Sequence, residues 1–148
     1  MTKVQISPRE ILNVFRIKEP FQYVVLAKDP MTHEIRYDVF EPTLIEEEKK
    51  QLQMIREFLF EQIDITMSEL GSGEKAEEYL RDLVRETVKN FHIQVNECSL
   101  GKILYYIIRD YVGYGMIDVM MKDNLIEDIG CNGLNIPVYV WHLSLIHI

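Results

Sequence analysis

The spacing of the apolar residues changes twice along this chain, and that change limits the folds it can adopt. Between residues 44 and 111, apolar side chains recur every three or four positions, as they do on one face of a helix. Before residue 41 and after residue 125, runs of β-branched and aromatic residues alternate with turn residues, which is typical of strands. The sequence therefore predicts an α+β fold: a helical bundle of about three main helices with an N-terminal β-hairpin and a C-terminal strand pair.

The first forty residues carry both strand and helix signals. Residues 21–27, FQYVVLA, and 35–40, IRYDVF, are two strand-like runs. The segment between them contains Asp29 and a proline, which have turn chemistry, so we predict a β-hairpin. Ahead of the hairpin, Ser7 and Pro8 suit the cap and the first position of a helix. We predict a short helix there.

The middle of the chain predicts the helices. Thr43 and Glu46 have the spacing of a capping box, so the first helix should begin at Thr43. Residues 71–73, Gly-Ser-Gly, should separate it from the second helix. Ser99 should cap the third helix, and Gly113 should end it in a left-handed conformation.

The segment after Gly113 predicts short elements only. Residues 115–121 should form one or two further helical turns. Two strand-like runs follow, 126–131 and 138–141, joined by a loop that contains an Asn-Gly pair. They predict the C-terminal strand pair.

Charge and composition exclude several classes of function. The 148 residues carry a formal net charge of −8 and a pI near 5.0, whereas a dedicated nucleic-acid surface needs clustered basic residues. No apolar run approaches the roughly 20 residues that span a bilayer, and the N-terminal ten residues lack the apolar core of a signal peptide. Two cysteines do not make a disulfide framework. We therefore expect a cytoplasmic protein that does not bind nucleic acid.

Phosphate-binding and metal-binding chemistry are not predicted for these residues. A P-loop needs the pattern GxxxxGK[ST] after a strand, and residues 71–75, Gly-Ser-Gly-Glu-Lys, lack both the spacing and the strand. The four histidines are scattered, with no ligand spacing around either cysteine. Glu127 and Asp128 are adjacent in a strand and point to opposite faces, which predicts structural roles. We predict no catalytic, cofactor-binding or metal-binding residue in this chain.

Residues 105–142, YYIIRDYVGYGMIDVMMKDNLIEDIGCNGLNIPVYVWH, carry a dense set of motif residues. They resemble the N-terminal region of the type II/type IV secretion-system ATPases, especially the archaeal-type branch that drives archaellum and pilus assembly. The resemblance extends weakly back to residues 23–44, and Gly130 departs from the family pattern, which usually has Ser there. The matching positions that we single out as structural or interface residues are Arg109, Asp110, Gly113, Gly115, Asp118, Glu127, Asp128, Cys131, Asn132, Gly133, Pro137, Tyr139 and His142.

The resemblance implies a homohexameric motor that lies at the cytoplasmic face of the cell membrane through its partners. In such a protein a downstream RecA-like domain binds ATP and Mg²⁺ through Walker motifs, which this chain lacks. The N-terminal part contacts neighbouring subunits and a polytopic membrane platform protein, and it couples ATP hydrolysis to filament assembly or protein export. Residues 1–104 would then be the hairpin and helical region, and residues 105–142 the start of a further small α/β domain. The chain alone is expected to be inactive and to bind no cofactor.

Two alternatives stay open at this point. An acidic α+β domain of this size can also be a standalone protein-interaction module. His142 can either pack at the end of its strand or contact another domain.

The last six residues, 143–148, LSLIHI, resemble the translation of a transposase-end sequencing adapter. We expect them to be non-native and the gene to be cut after His142.

Overall fold

The computed structural model describes residues 9–63 and 73–145, which form an α+β fold, as predicted. The strands, in chain order, are β1 (Glu10–Lys18), β2 (Gln22–Lys28), β3 (Ile35–Phe40), β4 (Ile126–Gly130) and β5 (Tyr139–His142). The helices are α1 (Glu46–Gln62), α2 (Glu74–Asn90), α3 (Glu97–Tyr111) and the short α4 (Asp118–Lys122). Two 3-10 turns, Gly115–Ile117 and Leu143–Leu145, precede α4 and follow β5.

The chain divides into two compact units. The first combines Met1–Glu41 with Val119–Ile148, and the second is Pro42–Asp118. The regions predicted from the sequence, 1–104, 105–142 and 143–148, stay a prediction.

In the first unit, the N-terminal strands form an antiparallel sheet in the order β1-β2-β3. The predicted hairpin is confirmed as β2 and β3, which pair from Tyr23 opposite Phe40 to Lys28 opposite Ile35. The short helix predicted from Ser7 onward is wrong for residues 10–18, because these form β1; Ser7 and Pro8 lie outside the described residues. The local start signals favour a helix, but pairing with β2 outweighs them.

The predicted C-terminal strand pair is also confirmed, in the same unit. β4 and β5 are antiparallel, with Ile129 opposite Val140 and Gly130 opposite Tyr139. The loop between them turns through two residues with positive φ, Gly133 at 145° and Asn135 at 59°. Asparagine and glycine are the residues that adopt this conformation at low cost.

In the second unit, α1, α2 and α3 share one apolar core. Its buried members recur every three or four residues on each helix, as the sequence predicts. The core residues are Leu52, Ile55 and Leu59 of α1, Leu80 and Val84 of α2, and Leu100, Ile103, Leu104 and Ile107 of α3. Burial of each such side chain contributes about 1.5–3 kcal/mol, so this core is the main source of stability for the helical unit.

The caps of the helices differ from the prediction. α1 begins at Glu46 with Ile45 as its cap residue, so Thr43 is not the cap. α3 is capped by Asn96, whose Oδ1 accepts a hydrogen bond of 2.8 Å from the backbone N–H of Ser99. Ser99 was predicted to be the cap, but it is the third residue of the helix and is free to make a different contact.

That contact joins α3 to α1 through a buried carboxylate. Ser99 Oγ donates a 2.6 Å hydrogen bond to Glu48 Oε1, and the backbone N–H of Ile45 donates to Glu48 Oε2 at 3.0 Å. Lys102 Nζ lies 3.4 Å from the same carboxylate. These donors, with Ser99 the strongest, hold the pKa of Glu48 below its ordinary value because they stabilise the charged form.

Candidate functional site

The motif residues at the end of α3 form a self-contained turn in the helical unit. Asp118 is 1% exposed, and its Oδ1 accepts a 3.0 Å hydrogen bond from the backbone N–H of Tyr114. A β-carbon on Gly113 would collide with Asp118 Oδ1 and lie 2.8 Å from the carbonyl oxygen of Arg109. The left-handed conformation predicted for Gly113 is wrong, because Gly115 is the residue that adopts it, with φ of +59°. Glycine is needed at position 113 for a different reason, because Asp118 and Arg109 leave no room for a side chain there.

Arg109 and Asp110 anchor the last turn of α3. Arg109 Nε donates to Asp110 Oδ1 at 2.8 Å, and its guanidinium carbon lies 4.8 Å from the centre of the Tyr106 ring. Asp110 also pairs with Arg56 of α1. Both motif residues are therefore engaged inside the helical unit, in contacts that fix helix positions.

The motif residues of β4 and the following loop are mostly exposed. Glu127 and Asp128 are both exposed, at a register irregularity of β4, and Asp128 Oδ1 accepts a 2.9 Å hydrogen bond from the backbone N–H of Ile129. The exposed loop residues of the motif are Cys131, Asn132, Gly133 and Pro137. Tyr139, the first residue of β5, is 61% exposed.

His142, the last motif residue, is buried in a polar cluster of the other unit. It is 3% exposed, and its ring lies 5.2 Å from that of Phe15 and 5.8 Å from that of Tyr37, centre to centre. Its Nδ1 is 2.7 Å from Ser144 Oγ. Its Nε2 is 3.4 Å from Asp123 Oδ2 but not aligned for a hydrogen bond. Of the two roles left open, packing at the end of the strand describes its contacts within this unit.

Asp123 is the centre of the cluster. Its Oδ2 accepts a 2.8 Å hydrogen bond from the Tyr37 hydroxyl, and its Oδ1 accepts one of 2.9 Å from the backbone N–H of Leu125. Burial raises the pKa of Tyr37, and the hydrogen bond to the Asp123 carboxylate raises it further. Tyr37 is therefore a neutral hydrogen-bond donor at neutral pH, which makes it a structural clasp between β3 and the segment after α4.

Sequence reasoning did not single out Tyr37 or Asp123 as site residues. Asp123 lies inside the motif, but its partner Tyr37 lies 86 residues earlier in the chain. The only available signal was the alternation in β3, which puts Tyr37 on the same face as Ile35 and Val39. That pattern indicates which side chains share a face of the strand, but not which polar group packs against that face.

Two kinds of feature are absent from the described ranges. Within residues 9–63 and 73–145, no group of three or more His, Cys, Asp and Glu side chains could hold a metal ion. In the same ranges, no helix is long and apolar enough to cross a membrane. Of the P-loop lookalike, Gly71 and Ser72 lie outside the described residues, and Gly73 precedes α2 with φ of 125°.

Comparison with known proteins finds relatives without an assigned activity. The chain is 32% identical over 125 residues to the uncharacterized protein MJ1288 of Methanocaldococcus jannaschii, an alignment that covers 84% of this chain and 49% of that protein. It is 33% identical over 66 residues to the uncharacterized protein MJ0781 of the same organism, covering 41% of this chain and 9% of that protein. The chain thus spans about half the length of the first relative and about a tenth of the second. No family model matches it.

Proposed function

We propose that this chain is the N-terminal, non-catalytic part of a hexameric motor ATPase of the type II/type IV secretion superfamily. In this proposal it contacts neighbouring subunits and a polytopic membrane platform protein at the cytoplasmic face of the membrane. It couples ATP hydrolysis in a RecA-like domain, which binds ATP and Mg²⁺, to filament assembly or protein export.

The observation that carries the proposal is the dependence of Gly113 on Asp118. These two positions of the motif need each other, because the carboxylate fills the space that any larger residue at 113 would require. Two positions of the motif are therefore coupled through one contact, and this supports a structural role for this part of the motif. A structural role for the motif also suits a region that positions partners and carries out no chemistry.

A second candidate is a standalone acidic interaction module. It is favoured by the aromatic side chains of β5, since Tyr139 and Trp141 are 61% and 62% exposed, and exposed aromatic residues are typical anchors of protein interfaces. This candidate needs no motor domain.

One experiment separates the two candidates. The genomic locus is amplified and sequenced past the codon of His142, from the source DNA and without a transposase-based library. The motor proposal expects an open frame that encodes a strand, GxxxxGK[ST] and a helix. A native stop codon after Ile148 would contradict it and favour the standalone module.

A further inference from the structure

The unit that contains both sheets has a cleft of about 830 Å³ along one of its strands. One wall is formed by residues 34–39, six consecutive positions at β3, and another by residues 137–140 at the start of β5. Successive side chains of a strand point to opposite faces, so a cleft lined by consecutive residues reaches the edge of the strand. The cleft also extends to Leu26 of β2.

β3 is an edge strand, and its register shows which backbone groups face the cleft. Among the described residues, β3 pairs only with β2, in the sheet order β1-β2-β3. The N–H of Asp29 donates to the carbonyl of Glu34 at 2.9 Å, which makes this a hydrogen-bonded pair. Hydrogen-bonded and non-hydrogen-bonded pairs alternate along an antiparallel ladder. The N–H and C=O groups of Ile35, Tyr37 and Val39 therefore point away from β2.

The chemistry of the cleft matches a polypeptide segment. A row of backbone donors and acceptors at strand spacing is complemented by another extended backbone. The side chains beside it are mainly apolar, including Ile35, Val39 and Val138, which are 41%, 36% and 42% exposed. The opposite wall belongs to a sheet in which β5 pairs only with β4 among the described residues.

Charge at the edge adds one requirement for the occupant. Arg36 and Asp38 pair with each other at 3.3 Å, and Arg9 lies 3.9 Å from Asp38. Glu34, at the other end of the edge, adds a carboxylate to the lining of the cleft. A basic residue in the occupant would complement Glu34.

We propose that this cleft binds an extended segment of a partner protein, which adds to the sheet as a fourth strand beside β3. The segment has apolar side chains at alternate positions and a Lys or Arg that reaches Glu34. Backbone hydrogen bonds to Ile35, Tyr37 and Val39 supply the pairing, and the apolar wall selects the side chains. The inference does not depend on a motor domain, and it holds equally for a standalone module.

The test begins with a library of random decapeptides displayed on phage and selected on the whole chain. We expect enriched sequences with alternating apolar residues and a basic residue. A synthetic peptide of the strongest sequence is then compared with two N-methylated forms. Methylation of the amides that face β3 should weaken binding about tenfold or more, because it removes several hydrogen bonds, whereas methylation of the intervening amides should not.

Hydrogen exchange locates the bound peptide, and a variant of the chain tests the edge. Binding should slow exchange of the Ile35, Tyr37 and Val39 amides by about tenfold or more. Val39→Pro removes one outward N–H at an edge position where proline is tolerated and should abolish binding, while Val39→Thr keeps the N–H and should retain it. The methylated peptides give the same information if the proline variant does not fold.

Three results would overturn the proposal. The first is no enrichment over an unrelated bait, and the second is binding that ignores methylation of the amides facing β3. The third is protection of the same three amides in the chain alone, together with a concentration-dependent dimer in light scattering. That last result would assign the cleft to a second copy of this chain.

Discussion

The carboxylate of Asp118 occupies the space that a β-carbon on Gly113 would fill. The same carboxylate accepts the hydrogen bond of the Tyr114 N–H, so it cannot move aside without leaving a donor unpaired. The turn after α3 therefore depends on the absence of a side chain at one position and on the presence of a carboxylate at another.

We predict that Gly113→Ala destabilises the protein. The new methyl group meets the Asp118 side chain and the carbonyl oxygen of Arg109, and a backbone oxygen cannot rotate away. Overpacking of this kind costs about 1–3 kcal/mol in the free energy of unfolding. Urea denaturation followed by circular dichroism measures the change.

Gly101→Ala is the matched control. Gly101 lies inside α3, and a β-carbon there would have no neighbour within 4 Å. Because alanine favours a helix more than glycine does, this variant should be more stable by about 0.5–1 kcal/mol. Equal effects of the two substitutions would contradict the steric account of the turn.

We predict that Tyr37→Phe destabilises the unit that holds both sheets. The substitution removes the hydroxyl that donates to Asp123 and keeps the ring that packs against His142. The loss of a hydrogen bond to a partly buried carboxylate should cost about 1–2 kcal/mol. Tyr139→Phe, at an exposed position, should change stability by no more than about 0.5 kcal/mol, and a similar loss in both variants would argue against the clasp.

The same hydrogen bond should make stability fall at alkaline pH. The folded-state pKa of Tyr37 is raised above the ordinary value of 10.0, so the folded protein holds this proton more strongly than the unfolded chain does. The contribution is complete below pH 10.0 and is lost as the pH rises towards the folded pKa. The difference in stability between the wild type and Tyr37→Phe should therefore shrink above pH 10.0, and a constant difference would refute the assignment.

How far the sequence predicts this fold depends on the range of the interactions concerned. The helices of the second unit follow from local periodicity, because residues with the spacing of Leu52, Ile55 and Leu59 lie on one face of any helix. β1 was predicted as helix because Ser7 and Pro8 resemble a helix start. Its strand conformation depends on β2, and a local pattern does not contain that pairing.

The same limit applies to the candidate site. The resemblance pointed to Asp118 and His142, and two of their hydrogen-bond partners, Tyr114 and Ser144, are near them in sequence. The hydrogen bond between Tyr37 and Asp123 joins residues 86 positions apart, and one sequence without its relatives carries no signal for it. The caps were missed for a different, local reason. Thr43 and Ser99 are both good cap residues, but Ile45 and Asn96 hold the cap positions, Asn96 through the hydrogen bond that its side chain accepts from the Ser99 N–H.

We predict that Glu48→Gln destabilises the helical unit at neutral pH and has little effect in acid. The pKa of Glu48 is held below the ordinary value of 4.5 by Ser99, the Ile45 N–H and Lys102. Its contribution is therefore complete above pH 4.5 and is lost as the pH falls through the folded pKa. Urea midpoints of the variant and the wild type should differ at pH 7 and converge towards pH 3. Glu47→Gln, at an exposed position in the same helical turn, removes only a charge near the helix N-terminus, so its difference from the wild type at pH 7 should be much smaller.

We predict that ATP with Mg²⁺ does not raise the melting temperature of this chain. A ligand at 100 times its Kd stabilises the folded state by about 2.7 kcal/mol, which for a domain of this size corresponds to a shift of several degrees. The described residues contain no group that could hold a metal ion, and the loop nearest to a P-loop lacks the required spacing. Differential scanning fluorimetry with ATP–Mg²⁺, and with Mg²⁺ alone as the control, measures the shift. Stabilisation by ATP–Mg²⁺ beyond that of Mg²⁺ would reveal a nucleotide site in this chain and would contradict its assignment as the non-catalytic part of a motor.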